Sequence, residues 1–296
     1  MKVTRYIAKK VKRISRLRHQ LSYKFHVPPG HFYSPIVSPD FVRQYEDAIF
    51  DTTSRELAAI DLHEARQLDL LEKLAVFYAD LPFTAERQKG LRYYYNNEYY
   101  SYTDAIFLHG MIRHLQPKRI IEIGSGFSSA VMLDTNQLFF DRQMDLTFVE
   151  PYPERLHAIL QEDDRIQLLE KNIQEVPPEF FGTLEENDIL FVDTSHVVKT
   201  GSDVNYILFN ILPNLKKGVY IHFHDVFFPF EYPKEWVLDL KRCWSEDYLL
   251  RAFLMYNNTF TIRLFSTFLI RYHPTWFEQH MPLCLNNAGA CLWLQK

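Results

Sequence analysis

The sequence predicts an α/β fold in which a largely parallel sheet is covered by helices on both faces. Residues 119–130 read as a buried strand that stops at a glycine turn and continues as a helix. From residue 119 onward, strand-like and helix-like stretches alternate, which is typical of parallel strands joined by crossover helices. The length of 296 residues suits one large α/β domain with an extension.

The strand predictions rest on short apolar runs, and the helix predictions on apolar spacing between them. The predicted strands are 119–123, 145–149, 166–170, 188–192, 218–223, 259–265 and 289–294. The helices predicted between the first five strands are 128–137, 153–162, 173–181 and 202–213. The last two strands are separated only by the loop-like stretch 272–288, so we expect them to form an antiparallel, hairpin-like edge.

The first 100 residues are predicted to form an extension, and residues 101–296 the sheet domain. Residues 26–40 contain four prolines and predict a loop. Helical spacing of leucines follows over residues 54–80, and a second helix is predicted over 103–115, after a tyrosine-rich stretch.

Charge is unevenly distributed along the chain. Residues 1–25 contain nine Lys and Arg and no acid, which leaves −13 on the remainder of a chain whose formal charge is −4. An apolar stripe at helical spacing in this segment predicts a basic amphipathic helix. Such a helix suits a peripheral contact with an anionic membrane, or packing on its own domain or on the second subunit of a homodimer.

The remaining composition favours a cytoplasmic protein. No run of about 18 apolar residues predicts a transmembrane helix, and no apolar signal-peptide core follows Met1. The three cysteines lack metal-type spacing and fit reduced thiols.

The glycine turn indicates a nucleotide-type cofactor. Gly124 and Gly126 stand between the first strand and its helix, where a ligand can approach the backbone. The nicotinamide fingerprint G-x-G-x-x-G is broken, because Ser129 stands at its third glycine. Glu150 ends the second strand, where a carboxylate can accept the two hydroxyl hydrogens of a ribose.

From about residue 100 onward, the chain resembles class I S-adenosylmethionine-dependent methyltransferases. Four segments carry the resemblance: Glu122-Ile123-Gly124-Ser125-Gly126, Glu150-Pro151-Tyr152, Asp188 to Asp193, and Leu215 to Ile221. Asp193-Thr194-Ser195-His196 and the later His224-Asp225 are similar to a bacterial subgroup that includes sugar and antibiotic O-methyltransferases.

The resemblance implies a Rossmann-like sheet of seven strands with the last one antiparallel, and S-adenosylmethionine as the cofactor. In it, Glu122 would lie near the cofactor's amino group, Glu150 would hold the ribose, and Asp193 would border the sulfonium. The full set of implied cofactor-binding residues is Glu122, Gly124, Ser125, Gly126, Ser128, Glu150, Pro151, Asp193 and Ser195.

Methylation of a hydroxyl needs a proton acceptor or a metal ion, because the hydroxyl pKa is far above neutral. In one alternative, His196 or His224 is the base and Asp225 completes the catalytic group. In the other, Asp193, His224 and Asp225 bind a divalent ion such as Mg²⁺. Catechol-type relatives have an acid and an amide where this chain has His224 and Asp225, which weakens an oxygen-only Mg²⁺ site.

The predicted reaction is therefore methyl transfer to a hydroxyl of a small molecule or a saccharide. Two alternatives stay open: a nicotinamide oxidoreductase, and a binding subunit of the same fold that has lost catalysis. No nucleic-acid partner is expected, because the chain beyond residue 25 is acidic and no N-P-P-[YF] motif follows the fourth strand.

Overall fold

Seven strands form one sheet in the computed structural model, which describes residues 26–296. In chain order the strands are β1 Arg119–Ile123, β2 Asp145–Val149, β3 Ile166–Leu169, β4 Ile189–Val192, β5 Tyr220–His224, β6 Thr261–Phe265 and β7 Cys291–Gln295. Their order across the sheet is β3-β2-β1-β4-β5-β7-β6. The order reverses beside β1, and ligands of open α/β sheets bind at such a switch point.

The pairing confirms the predicted fold class. Strand β1 pairs in parallel with β2 and β4, and β7 is antiparallel to both of its neighbours, β5 and β6. As predicted, β6 and β7 pair antiparallel at one edge of the sheet, with β6 outermost. Strand β7 lies inside the sheet, and two helices separate it from β6 in the chain.

Eleven α-helical segments surround the sheet in the described residues. They are α1 Pro39–Gln44, α2 Glu46–Ile49, α3 Glu64–Ala75, α4 Thr103–Leu115, α5 Phe127–Phe139, α6 Glu154–His157, α7 Asp203–Tyr206, α8 Lys234–Leu238, α9 Glu246–Leu254, α10 Ser266–Tyr272 and α11 Pro274–His280. Short 3₁₀ turns occupy Ile173–Glu175, Pro178–Thr183, Leu212–Asn214 and Pro282–Asn286, and a π-helical turn occupies Ile207–Ile211.

Several helix predictions were too long. The helix predicted over 54–80 is only α3, because His63 adopts a left-handed conformation and Leu57 forms a β-bridge with Ile60. The helix predicted over 153–162 is the single turn α6. The one predicted over 173–181 is two 3₁₀ turns, and the one over 202–213 is a mixture of α, π and 3₁₀ turns.

Two predicted loops contain helices. Helices α10 and α11 extend into the stretch 272–288. Helix α1 begins at Pro39, within the predicted loop 26–40, where the Ser38 hydroxyl accepts a hydrogen bond from the Phe41 N–H at 3.4 Å. Pro at the first helical position costs no hydrogen bond, so a proline-rich stretch is compatible with a helix start.

The extension and the sheet share one hydrophobic core. Buried side chains of α3 and of the tyrosine-rich stretch, such as Leu71, Tyr93 and Tyr100, pack in the same cluster as the strands. Within residues 26–296, no break in this core coincides with the boundary predicted at residue 100. The basic helix predicted for residues 1–25, with its membrane or subunit contact, lies outside the described residues.

A buried ion-pair network holds the tyrosine-rich stretch against α5. The guanidinium of Arg92 contacts Asp134 at 2.7 Å and Asp164 at 2.5 Å, and all three side chains are almost fully buried. Asp134 also accepts the backbone N–H groups of Arg92 and Tyr93. Removal of one partner would leave a buried charge without a counter-charge, which is strongly destabilising. The network therefore holds in place the segment that leads to Tyr99 and Tyr100.

Cysteine accessibility differs sharply along the chain. All three thiols are free; Cys243 is exposed, whereas Cys284 and Cys291 are buried. Burial raises the pKa of Cys284 to about 12.

No helix among the described residues has both the length and the apolarity to cross a membrane.

The tips of β1, β2 and β4 meet at Gly124. Its N–H donates to the carbonyl of Val149, and the N–H of Asp193 donates to the carbonyl of Ile123. Gly124 has a φ of 83°, and a Cβ at this position would lie 1.7 Å from the carbonyl oxygen of Asp193. Glycine is therefore required here both by conformation and by space.

We expect Gly124→Ala to lower the free energy of unfolding by roughly 2–5 kcal/mol. The new methyl group would overlap the carbonyl oxygen of Asp193, and alanine is strained at a positive φ. Chemical denaturation measures this change. Gly90→Ala is the matched control, because Gly90 has a φ of 91° but nothing lies within 4 Å of the position that a Cβ would occupy there. Equal losses in the two variants would contradict the close approach.

Candidate active site

Two cavities adjoin at the carboxyl ends of β1, β2 and β4. Their volumes are about 420 and 360 Å³. We call them the ribose-side cavity, which extends to Tyr152 and Ile173, and the acceptor-side cavity, which extends to Tyr99 and Trp244. They share the residues Gly124, Glu150, Asp193, Thr194 and Ser195. A continuous ligand can therefore lie across both.

Glu150 lies at the junction of the two cavities. One carboxylate oxygen accepts the backbone N–H of Ser125 at 2.9 Å, and the other accepts the N–H of Tyr152 at 2.8 Å. Each carboxylate oxygen has further lone pairs, so the group can still accept hydroxyl hydrogens from a ligand. Pro151 lines the ribose-side cavity beside it.

Glu122 is completely buried beneath the glycine turn. The hydroxyl of Ser128 donates to one carboxylate oxygen at 2.5 Å, and the hydroxyl of Ser129 donates to the other. Burial outweighs these hydrogen bonds and raises the pKa of Glu122 to about 8. Ser129 Oγ also accepts the N–H of Gly126 at 3.0 Å. Glu122 is thus linked through Ser129 to the backbone of the turn.

Gly126 makes room for a side chain of the protein. Its φ is near 180°, and a Cβ here would lie 3.3 Å from the side chain of Arg155. The Arg155 guanidinium lies over the ring of Tyr99 at 4.3 Å. Both residues line the acceptor-side cavity.

Ser195, which lines both cavities, is hydrogen-bonded within the protein: its hydroxyl donates to Asp203 at 2.6 Å.

His196 is the centre of a buried charge cluster. Its Nδ1 lies 2.9 Å from the carboxylate of Glu246, and its Nε2 lies 3.3 Å from Asp193 and 3.8 Å from Asp225. The ring of Trp244 packs against the imidazole with centroids 4.3 Å apart. The three carboxylates come from the loops after β4 and β5 and from the start of α9, so His196 connects all three.

The surrounding carboxylates keep His196 charged. Burial opposes the charge, but hydrogen bonds to Asp193 and Glu246 raise the pKa of His196 well above its ordinary value. Burial likewise raises the pKa of Asp193, but the positive charge of His224 and the hydrogen bond from His196 outweigh it and lower that pKa to about 2. The raised pKa favours the imidazolium form of His196 over the neutral imidazole that a general base requires.

His224 is also turned toward a carboxylate. Its Nε2 lies 3.5 Å from Asp225, and its Nδ1 is buried without a hydrogen-bond partner among residues 26–296. Burial lowers the pKa of His224, but Asp225, Asp193 and Asp104 outweigh it and raise the pKa. Its strand neighbour His222 is different: burial lowers its pKa well below the ordinary value, and its ring stacks on Phe191 at 4.0 Å.

The arrangement does not fit the predicted metal site. In the described part of the chain, no three His, Cys, Asp or Glu side chains are grouped so that they could hold a metal ion. The ring of His196 lies within 4 Å of both Asp193 and Asp225, two of the predicted metal ligands. It therefore takes the place beside these carboxylates that a metal ion would occupy. A protonated imidazole has no lone pair for a metal, so the cluster is already balanced by a protein cation.

Sequence reasoning missed several residues of the acceptor-side cavity. These are Arg155, Arg242 and Trp244, together with Glu246, which contacts His196 from behind. Glu246 is 50 residues from His196 in the chain, and the sequence carries no local signal for that contact. Tyr99 and Tyr100, from the tyrosine-rich stretch, also line this cavity.

Comparison with known proteins identifies the central part of the chain. A family described as "Methyltransferase domain" matches residues 121–226. An uncharacterised protein of Archaeoglobus fulgidus is 39% identical over 166 residues, which cover 55% of this chain and 75% of the relative.

Solved structures of similar fold include two methyltransferases. The SAH-bound Podospora anserina methyltransferase PaMTH1 is 16% identical, with a TM-score of 0.42 over 92% of this chain and 99% of its own. The SAM complex of the O-methyltransferase TomG from Streptomyces achromogenes, involved in tomaymycin synthesis, is 13% identical. Its TM-score is 0.40 over 86% of this chain and 95% of its own.

Glu122→Gln tests the buried carboxyl. A carboxyl with a pKa of about 8 in the folded protein and 4.5 when exposed takes up a proton on folding. Stability therefore falls as the pH rises from about 4.5 to about 8, by at most about 1.4 kcal/mol per pH unit. We expect Glu122→Gln to flatten this slope in urea unfolding curves between pH 5 and 8. An unchanged slope would contradict the raised pKa.

Proposed function

Since this chain belongs to the class I S-adenosylmethionine-dependent methyltransferases, we propose that it methylates a hydroxyl group of a small molecule or a saccharide. The observation that carries the proposal is the pair of adjoining cavities that share Gly124, Glu150 and Asp193. Family membership decides against the nicotinamide oxidoreductase alternative. When bound, S-adenosylmethionine supplies an activated methyl group on a sulfonium.

The ribose-side cavity is the proposed site of the cofactor's nucleoside. Glu150 is fixed by two backbone N–H groups and still has lone pairs for the ribose hydroxyls. Asp193 lies where the two cavities join, and its low pKa keeps it negative. A permanent carboxylate there stabilises the positive charge of a sulfonium. Pro151 and Ser125 complete the wall on either side.

The acceptor-side cavity combines aromatic walls with a few charged groups. Tyr99, Phe127 and Trp244 provide the walls, and Asp225 faces the same space with its side chain 18% exposed. Small-molecule sites typically have this composition, with apolar area for affinity and a few polar groups for orientation. Phenolic and glycosidic hydroxyl compounds both suit such walls.

Asp225 is the proposed proton acceptor. Its oxygens lie 3.5 Å from His224 and 3.8 Å from His196, which is too long for a strong hydrogen bond and leaves lone pairs for an acceptor hydroxyl. His196 and His224 then stabilise the negative charge that develops as the proton leaves. The histidines act electrostatically in this proposal, in place of the base first expected from the sequence.

Glu150→Gln tests cofactor binding. We expect the dissociation constant of S-adenosylhomocysteine, measured by isothermal titration, to rise about tenfold or more, because a charge-assisted hydrogen bond is lost. NAD should show no binding to the unaltered protein. Glu154→Gln is the matched control, since Glu154 lies four residues away and is exposed. Equal affinities of the two variants would refute the ribose contact.

Asp225→Asn tests the proton acceptor in a screen of phenols and glycosides with labelled S-adenosylmethionine. We expect kcat to fall by about 100- to 10,000-fold, with the affinity for S-adenosylhomocysteine unchanged. Asparagine tolerates the left-handed conformation of Asp225, which has a φ of 56°. Asp141→Asn is the matched control, because exposed Asp141 has a φ of 49°.

The same assay separates the rival explanations. Transfer that is lost with a chelator and restored by Mg²⁺ would make Asp225 a metal ligand, contrary to the proposal. Cofactor binding without turnover of any hydroxyl compound in the screen would favour the non-catalytic binding subunit.

A further inference from the structure

The acceptor-side cavity has two arginines that no carboxylate neutralises. Its three acidic residues lie beside other groups: Glu150 accepts two backbone N–H groups, and Asp193 and Asp225 lie 3.3 and 3.8 Å from Nε2 of His196. In contrast, no carboxylate of residues 26–296 lies within 4.0 Å of the guanidinium of Arg155 or Arg242. Residues 1–25 contain no acidic side chain that would alter this balance.

Arg242 is held in place by aromatic rings. Its guanidinium lies 3.9 Å from the ring centre of Trp236 and 4.5 Å from that of Trp244. Its backbone N–H donates to the carbonyl of Trp236 at 2.9 Å. Trp244 in turn packs on His196, so the guanidinium is fixed at the rim of the charge cluster. Stacking on the faces of a guanidinium leaves the N–H groups at its edge available.

The two arginines lie at different parts of the cavity. Arg155 lies against Gly126, at the glycine turn where the amino-acid end of the cofactor is expected. Arg242 stacks on Trp244, which packs on His196, and it lines the same cavity as the proposed proton acceptor. The cofactor has one carboxylate, which Arg155 can bind. Arg242 is then left for a second anionic group, which only the acceptor can supply.

We propose that Arg242 binds an acidic group, a carboxylate or a phosphate, on the molecule that is methylated. This inference rests on the proposed function and narrows its substrate class to anionic hydroxyl compounds. The planar fork of an arginine donates two parallel hydrogen bonds to either oxyanion. Trp244 beside it offers a flat surface for a ring of the same molecule.

The experiment compares matched probes on the protein saturated with S-adenosylhomocysteine. Isothermal titration measures binding of 4-hydroxybenzoate, of its neutral analogue 4-hydroxybenzamide and of phenyl phosphate. We expect at least one of the two acids to bind about tenfold or more tightly than the amide. Comparison of the two acids shows whether carboxylate or phosphate is preferred.

Arg242→Gln should remove the preference for the acid and leave the affinity for S-adenosylhomocysteine within about twofold. Arg87→Gln is the matched control, since Arg87 is exposed and lies outside both cavities. Arg242→Lys keeps the charge without the planar fork and should retain part of the preference. It serves also as the second variant if Arg242→Gln does not fold.

The outcomes are distinct. Equal binding of acids and amide, no measurable binding of either acid, or an acid preference that survives in Arg242→Gln would overturn the proposal. Failure to bind S-adenosylhomocysteine would instead count against the proposed function.

Discussion

The geometry of the site depends on one close backbone contact, between Gly124 and the carbonyl of Asp193. Hydrogen bonds from Gly124 to Val149 and from Asp193 to Ile123 join the tips of three parallel strands at that point. Each tip carries an acidic side chain close by: Glu122 on β1, Glu150 after β2 and Asp193 after β4. Because the contact is between backbone atoms, it fixes the positions from which these three side chains extend.

A second constraint acts on the side chains. His196 is surrounded by carboxylates from three separate segments, and a buried cation of this kind is stable only while its partners remain. The cluster therefore connects the start of α9 to the ends of β4 and β5.

The sequence was most informative where local pattern and burial agree. Strand β1 and helix α4 have the predicted bounds, because each is largely buried and ends directly before a residue with a positive φ, Gly124 and Gln116 respectively. Prediction failed where single residues decide the backbone, as at His63, whose left-handed conformation delays α3. It also failed for α10 and α11, whose aromatic residues have no strong helix preference and are helical because they pack in the core.

The same distinction applies to the site. That Glu122, Gly124, Glu150 and Asp193 lie near one another could be predicted, because each stands at or close to the end of a strand and parallel strands bring their ends together. Glu246 and Arg242 reach the site through the fold of the chain after β5, which no short-range pattern encodes. The environment of His196 was unpredictable for the same reason: its charge depends on a partner 50 residues away.

The uneven exposure of the three cysteines has a practical consequence. Cys243 is accessible and adjoins Arg242, whereas the thiols of Cys284 and Cys291 are shielded and remain protonated. A maleimide dye would therefore attach at a single position, and its emission would report events at the cavity rim without any engineered mutation.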